Sequence, residues 1–333
     1  MPVYNGERFL QVALDSVLGQ TFHDFEFVVI DDGSTDGTPQ ILVRSGDTRL
    51  QVVRISHVGL VGALNEGVAR CSGQFIARMD ADDICRPNRL QLQADYLLTH
   101  PDVDVVTCPC DLIDEQGVVT GCKSGGVGPD MLLELAAGNG IVHGSIMVRR
   151  ASLPPAPVYA GSTEDYRLWV RLLQDGRRFA CVAETLYEFR THTQRHSLTQ
   201  ARSQSAGIVD VQWPLLEECQ RTRNPSDPNV RWCLTVGWGR VAGAAYCAGD
   251  IQRADTARRW FLDLASGRWD QHIAGAAREG IEAMIWGGCP WRQAWRLRWL
   301  EWRHRPAAWR SYRNLLLTLA PVQKLRALLR RHS

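Results

Sequence analysis

Long apolar runs are missing from this 333-residue chain: no stretch of about 18 such residues occurs, and 315–322 is among the longest. An ordinary transmembrane helix is therefore not expected. The N-terminus has no basic flank followed by an apolar stretch, so no secretory leader is expected and the chain is assigned to the cytoplasm. The ten cysteines include no C-x-x-C pair; Cys108 and Cys110 lie two apart and the others stand singly, which excludes the usual structural zinc pattern. In a reducing compartment such thiols are small buried residues. Lysine is almost absent, with Lys123 and Lys324 the only two among 38 basic residues. Coding bias can produce that preference, so no function is drawn from it. No repeat of fixed period occurs, which argues against a solenoid.

What is present is ordinary for a globular protein, with 45% hydrophobic and 22% charged residues, and wholesale disorder is excluded. The charge is uneven. From Cys289 onward eleven basic residues face Glu301 alone, a net of +10, so the preceding 288 residues carry −8 of the overall +2.

The first two-thirds alternates strand and helix signals. Residues 7–20, 61–71, 87–100 and 164–174 carry helical periodicity. Residues 25–30, 50–55, 75–79, 103–113, 141–149 and 179–189 read as strands. This alternation predicts an α/β domain with a mainly parallel sheet. After about Gln200 helical periodicity dominates, with 236–248 and 254–265 forming a hairpin through Gly249-Asp250. The expected division is 1–200, a helical region 201–288 and a basic tail 289–333.

Two apolar strands empty into acidic clusters, Asp31/Asp32 and Asp80/Asp82/Asp83. Ligands of open α/β sheets bind outside the carboxyl ends of strands, so both clusters can face one crevice. The Asp-x-Asp spacing lets two carboxylates converge on a hard divalent cation that bridges them to phosphates. Asp and Asn also simply cap turns after strands. Three carboxylates within four residues, however, repel one another in a way a cation relieves. A third pair, Glu164-Asp165, opens a helix, where the helix dipole favours carboxylates and where a base for a hydroxyl is also well placed. His192 follows a strand; it suits a metal or a diphosphate, and equally a plain surface or core position.

Four segments together resemble family 2 glycosyltransferases of the GT-A fold: Pro2-Val3-Tyr4-Asn5, the Asp31-Asp32-Gly33-Ser34-Thr35-Asp36 turn, Ala77-Arg78-Met79-Asp80-Ala81-Asp82-Asp83, and Thr163-Glu164-Asp165-Tyr166-Arg167-Leu168-Trp169. Their order and spacing match across roughly residues 1–200. Val142-His143-Gly144-Ser145 and the segment from Tyr187 to Ser197 resemble the bacterial branch that builds surface polysaccharides.

The resemblance implies a GT-A, Rossmann-like nucleotide-diphospho-sugar transferase fold and an inverting, metal-dependent sugar transfer. Its donor is a nucleotide-sugar, with UDP favoured, and its acceptor a hydroxyl on a glycan or lipid-linked molecule. Pro2, Tyr4 and Glu7 then line the nucleotide pocket, and Asp32 accepts the N3–H of a uracil-like base. Asp80 and Asp82 touch the ribose and the metal-bridged diphosphate, with Mg²⁺ or Mn²⁺ as cofactor and Asp83 a further candidate ligand. Asp165 occupies the general-base position, Glu164 shapes the acceptor site, and His192 approaches the diphosphate or metal. In the family the pocket motif follows an apolar strand, whereas here Pro2 follows Met1 directly. A missing first strand, unpaired ladder groups and a partly unbuilt pocket are therefore expected.

Other classes remain open. Nucleotidyl transfer uses Asp-held metals, but its glycine-rich basic phosphate loop is absent. A degenerate nucleotide-sugar-binding module at a membrane assembly is the second alternative. In the tail, Trp291, Trp295, Trp299 and Trp302 fall near one helical face among arginines. Such a basic amphipathic segment suits an anionic membrane surface, each Arg adding on the order of 1 kcal/mol. Packing of these tryptophans on the body is the other option. The acidic body argues against a nucleic-acid partner.

Overall fold

The apolar run closed by Asp31 and Asp32 forms β2 (Phe27–Asp31), every residue of which is buried. A strand covered on both faces needs such a continuous apolar run. In the computed structural model, described for residues 1–192, 201–265, 277, 279–284, 287–290 and 297, β2 pairs in parallel with two strands. These are β1 (Pro2–Val3) and β3 (Leu50–Arg54). Helix α1 (Leu10–Leu18) buries Leu10, Ala13, Leu14 and Val17. A short α2 (Thr38–Arg44) follows the acidic turn. Helix α3 (Gly59–Arg70) lays Ala63 against Val28 and Ile30, each such burial contributing about 1.5–3 kcal/mol for a full aliphatic side chain.

Next come β4 (Phe75–Ala77), β5 (Ile84–Cys85), α4 (Arg89–Thr99), β6 (Val105–Thr107), β7 (Cys110–Ile113) and β8 (Val119–Lys123). They are followed by α5 (Met131–Ala137), β9 (Met147–Arg149), α6 (Glu164–Gln174), β10 (Phe179–Cys181) and β11 (Tyr187–Arg190). The strands form three ladders in the orders β1-β2-β3, β10-β6-β9-β4 and β5-β11-β7-β8. Pairing is mixed: β10 with β6 and β11 with β7 run parallel, while β9 runs antiparallel to both β4 and β6. The α/β class follows the expectation, and the antiparallel β9 makes the sheet mixed rather than purely parallel.

Two expected strands are each divided between ladders. The run 103–113 breaks at Cys108-Pro109 into β6 and β7, and 179–189 breaks in parallel with it into β10 and β11. Proline cannot donate to a ladder, and the carbonyl of Pro109 accepts instead from Leu186 N–H.

The expected gap at the first strand is partly closed. Pro2 and Val3 pair with Ile30 and Asp31, and the Met1 amine donates to the Val28 carbonyl at 2.9 Å. Beside them lies a cavity of about 660 Å³ between β2 and β4, lined by Phe27, Val28, Ala63, Phe75 and Ala77 among others.

The end of β4 is pinned from beneath. Arg89, fully buried, donates through Nη2 to the carbonyls of Arg78 and Ile146 and stacks 4.9 Å over the Tyr187 ring. A buried cation held by carbonyl dipoles fixes the start of the acidic segment relative to β9 and β11.

The chain divides into two units, Met1–Cys219 and Gln220–Ser333. After α7 (Ala201–Thr222) the second unit contains α8 (Pro228–Ala248) and α9 (Ile251–Leu264), the expected hairpin. Gly249 at φ 86° closes α8 in the left-handed conformation that favours glycine. A Cβ on Gly243 would lie 2.2 Å from the Ala283 carbonyl oxygen, so only glycine fits that approach. Apart from 289, 290 and 297, the tail 289–333 lies outside the described residues.

Candidate active site

The first part of the candidate site is built by long-range ties between β1 and the turn after β2. Asn5, at φ 50°, accepts the Thr35 N–H through Oδ1 at 2.8 Å, and its own N–H donates to Ser34 Oγ. Glu7 accepts the Gly37 N–H at the start of α2. Glu7 thus ties two loops together, and Pro2 sits in the β1 ladder beside the cavity; both were expected to line the nucleotide pocket.

Asp32 is almost completely buried and accepts N–H donors from Val58 at 2.7 Å and Gly59 at 2.9 Å, so it anchors the start of α3. His57 Nδ1 lies 2.9 Å from Asp32 Oδ2, and the exposed Tyr4 ring stacks on His57 at 4.1 Å between centroids. A flat aromatic platform next to a buried carboxylate suits a planar base. Sequence reasoning missed His57, a lone histidine whose partners lie 25 or more residues away.

The Asp-x-Asp residues converge. One ligand atom each of Asp80, Asp82 and Asp83 lies within 4.8 Å of the others. Arg78, buried at the end of β4, pairs with Asp80, and His192 Nε2 lies 2.8 Å from Asp82 Oδ2. Asp83 differs from its neighbours in being 1% exposed, with Tyr187 Oη donating to one oxygen at 2.8 Å and Arg190 N–H to the other at 2.7 Å. It clamps the acidic loop to β11.

A divalent cation fits this set. Asp80 and Asp82 are solvent-accessible hard oxygen donors, and His192 Nδ1 is buried without a hydrogen-bond partner. Hard divalent ions prefer such carboxylate oxygens.

The third part of the candidate site is the start of α6. Glu164 is 8% exposed, and burial together with the neighbouring Asp165 charge raises its pKa to about 7. Its Oε1 lies 3.9 Å from His143 Nδ1, whose ring packs edge-on against Trp169 and whose Nε2 is 3.1 Å from Tyr159 Oη. Burial and the Arg78 charge lower the His143 pKa well below its ordinary value, so the ring is neutral. Asp165 is also raised by burial, opposed by the Tyr166 N–H, the Arg78 charge and the Asn139 amide. Arg78 therefore acts on Asp80 and Asp165 alike. Its role was not read from the sequence, although a cation ending an apolar strand was the available signal.

With this geometry in view, comparison with known proteins is direct. Residues 1–121 match the family model described as Glycosyl transferase family 2. Over 178 residues the chain is 30% identical to an Escherichia coli protein, covering 53% of this chain and 68% of that one. That relative is the UDP-Glc:alpha-D-GlcNAc-diphosphoundecaprenol beta-1,3-glucosyltransferase WfgD. The chain belongs to glycosyl transferase family 2. This glycosyltransferase is also 29% identical over 237 residues to the putative glycosyltransferase EpsE of Bacillus subtilis, covering 68% of this chain and 82% of EpsE. Its fold matches S. aureus TarS 1–349, solved in complex with UDP-GlcNAc, with a TM-score of 0.53 at 18% identity. The match covers 84% of this chain and 90% of that one. The GT-A expectation is borne out. No helix among the described residues is long and apolar enough to cross a membrane.

Proposed function

We propose that this enzyme moves a sugar from a UDP-linked donor to a hydroxyl of a lipid-linked or glycan acceptor, with inversion, in cell-surface polysaccharide synthesis. The observation that carries the reading is Arg78, which pairs with Asp80 and lies in the field of Asp165. Donor phosphates and acceptor base then belong to one crevice.

In this reading Tyr4 and His57 hold the base, and Asp80 and Asp82 face the ribose and diphosphate. The acceptor oxygen attacks the anomeric carbon from the face opposite the diphosphate while Asp165 takes its proton. The bond from the anomeric carbon to the diphosphate oxygen breaks, and the diphosphate leaves with the electron pair, beside Arg78. A divalent cation, Mg²⁺ or Mn²⁺, held by Asp80, Asp82 and His192, supplies Lewis-acid neutralisation of that leaving group. Glu164, raised to about 7, is in its protonated form a hydrogen-bond donor toward the acceptor.

WfgD acts, by its name, on a diphosphoundecaprenol-linked sugar, which supports a lipid-linked acceptor here. Release of nucleoside diphosphate is the test, measured with a panel of nucleotide-sugars and a synthetic lipid-linked sugar acceptor. Metal-dependent release of UDP is expected. Donor binding without release under every condition would favour the binding-module alternative.

A further inference from the structure

Asn139 lies in a Gly138-Asn139-Gly140 loop that leads from α5 toward the 3-10 turn His143–Ser145. Its side chain is committed at both ends. Oδ1 accepts the Ile141 N–H at 3.2 Å, closing a turn over its own backbone, and Nδ2 donates to Asp165 Oδ2 at 2.9 Å. Flipping the amide would set oxygen against carboxylate and NH₂ against N–H, so the turn fixes which end faces Asp165. The loop itself is held close: a Cβ on Gly126 would lie 2.3 Å from the Gly140 carbonyl carbon. The other Asp165 oxygen accepts the Tyr166 N–H at 2.6 Å. Each carboxylate oxygen thus receives one N–H donor and keeps lone-pair capacity for a proton.

We propose that Asn139 is the positioning residue of the acceptor base, its locked amide holding the Asp165 carboxylate in place and in the form that accepts a proton. The inference rests on the reading of Asp165 as the base. A donor on a carboxylate favours the charged form. Among the described residues, the other charged or titratable groups around Asp165 include Arg78 from the end of β4, Glu164 on α6, Tyr159 from the segment before it, and His143 beside these last two. Asp210 on α7 lies against Arg167. Arg78 already serves Asp80, and Glu164 opposes a charge on Asp165. The Asn139 amide is the neutral donor that offsets burial without adding charge to the acceptor side.

The experiment is the pH dependence of kcat at saturating donor for the parent, Asn139→Ala, Asn139→Asp and Asp165→Asn. A ¹³C titration of the Asp165 carboxyl accompanies it in the first three. Asn139→Asp keeps the Oδ1 acceptor for Ile141 and replaces only the donor. Expected results are an acid limb moved up by roughly one pH unit in Asn139→Ala and further in Asn139→Asp. KM for the donor stays within about twofold, and the carboxyl titration moves by the same amount. An acid limb and carboxyl titration at the parent's pH, with Asp165→Asn inactive, would overturn the proposal while leaving the base assignment standing. Loss of fold in both Asn139 variants would also overturn it, assigning the residue to the loop alone. Transfer by Asp165→Asn at the parent rate would instead remove the base reading itself.

Discussion

At the end of β4, Asp80 and Asp82 sit at the solvent edge with a guanidinium and an imidazole as partners. At the start of α6, Glu164 and Asp165 lie among Tyr159, His143 and Trp169. The residue types are nearly the same and the surroundings are opposite. The first pair is hydrated and partnered by nitrogen groups, an arrangement that suits phosphate and metal binding. Burial raises the proton affinity of the second pair, as proton transfer requires. Arg78 stands between them, and its charge limits how far Asp165 can rise.

Removing one member of each region tests that contrast. Asp82→Asn takes a carboxylate from the acidic cluster and leaves His192 Nε2 facing an amide; turnover should fall by about 10³-fold. Metal-dependent thermal stabilisation by UDP should vanish with it, read in the same preparation by differential scanning fluorimetry. Retained stabilisation would place the metal elsewhere.

Glu164→Gln tests the acceptor side through stability. The Glu164 pKa is raised from 4.5 to about 7 in the fold, so the folded state binds the proton more tightly. Its contribution is complete below about pH 4.5 and is lost as pH rises through about 7, a difference on the order of 3 kcal/mol. Chemical denaturation at pH 4.5 and pH 8 should show Glu164→Gln gaining relative to the parent at the higher pH. An equal difference at both values would contradict the burial argument.

The smallest effect is expected at the nucleobase platform. His57→Ala removes the ring beneath Tyr4, and donor Kd should rise roughly tenfold with kcat unchanged. A fall in kcat at constant Kd would mean that His57 acts on the chemistry instead.

Much of the frame was legible because local periodicity carries it. Helix α6 runs over the expected residues, and β2, β3, α3 and α4 lie within two residues of expectation at each end. The divided strands were not legible, because Pro109 marks a break without saying which ladder each half joins. Strand β8 was also missed: Val119–Lys123 is largely exposed, so it lacks the alternation that burial imposes. Within the site, the acidic motifs gave Asp80, Asp82, Glu164 and Asp165 as candidates. They could not separate Asp83, whose oxygens are taken by Tyr187 and Arg190 over 100 residues away. His57, Asn139 and the tie between Glu7 and Gly37 went unread for the same reason: the partners are neighbours only through the topology.

The central claim is that the end of β4 binds the donor and the start of α6 moves the proton. Asp165→Asn, titrated with UDP-sugar and Mn²⁺ by calorimetry and assayed for UDP release in the same buffer, tests it most directly. The account predicts donor Kd within about threefold of the parent and turnover lowered by about 10³-fold or more. Parallel loss of binding and turnover, or turnover at the parent rate, would contradict it.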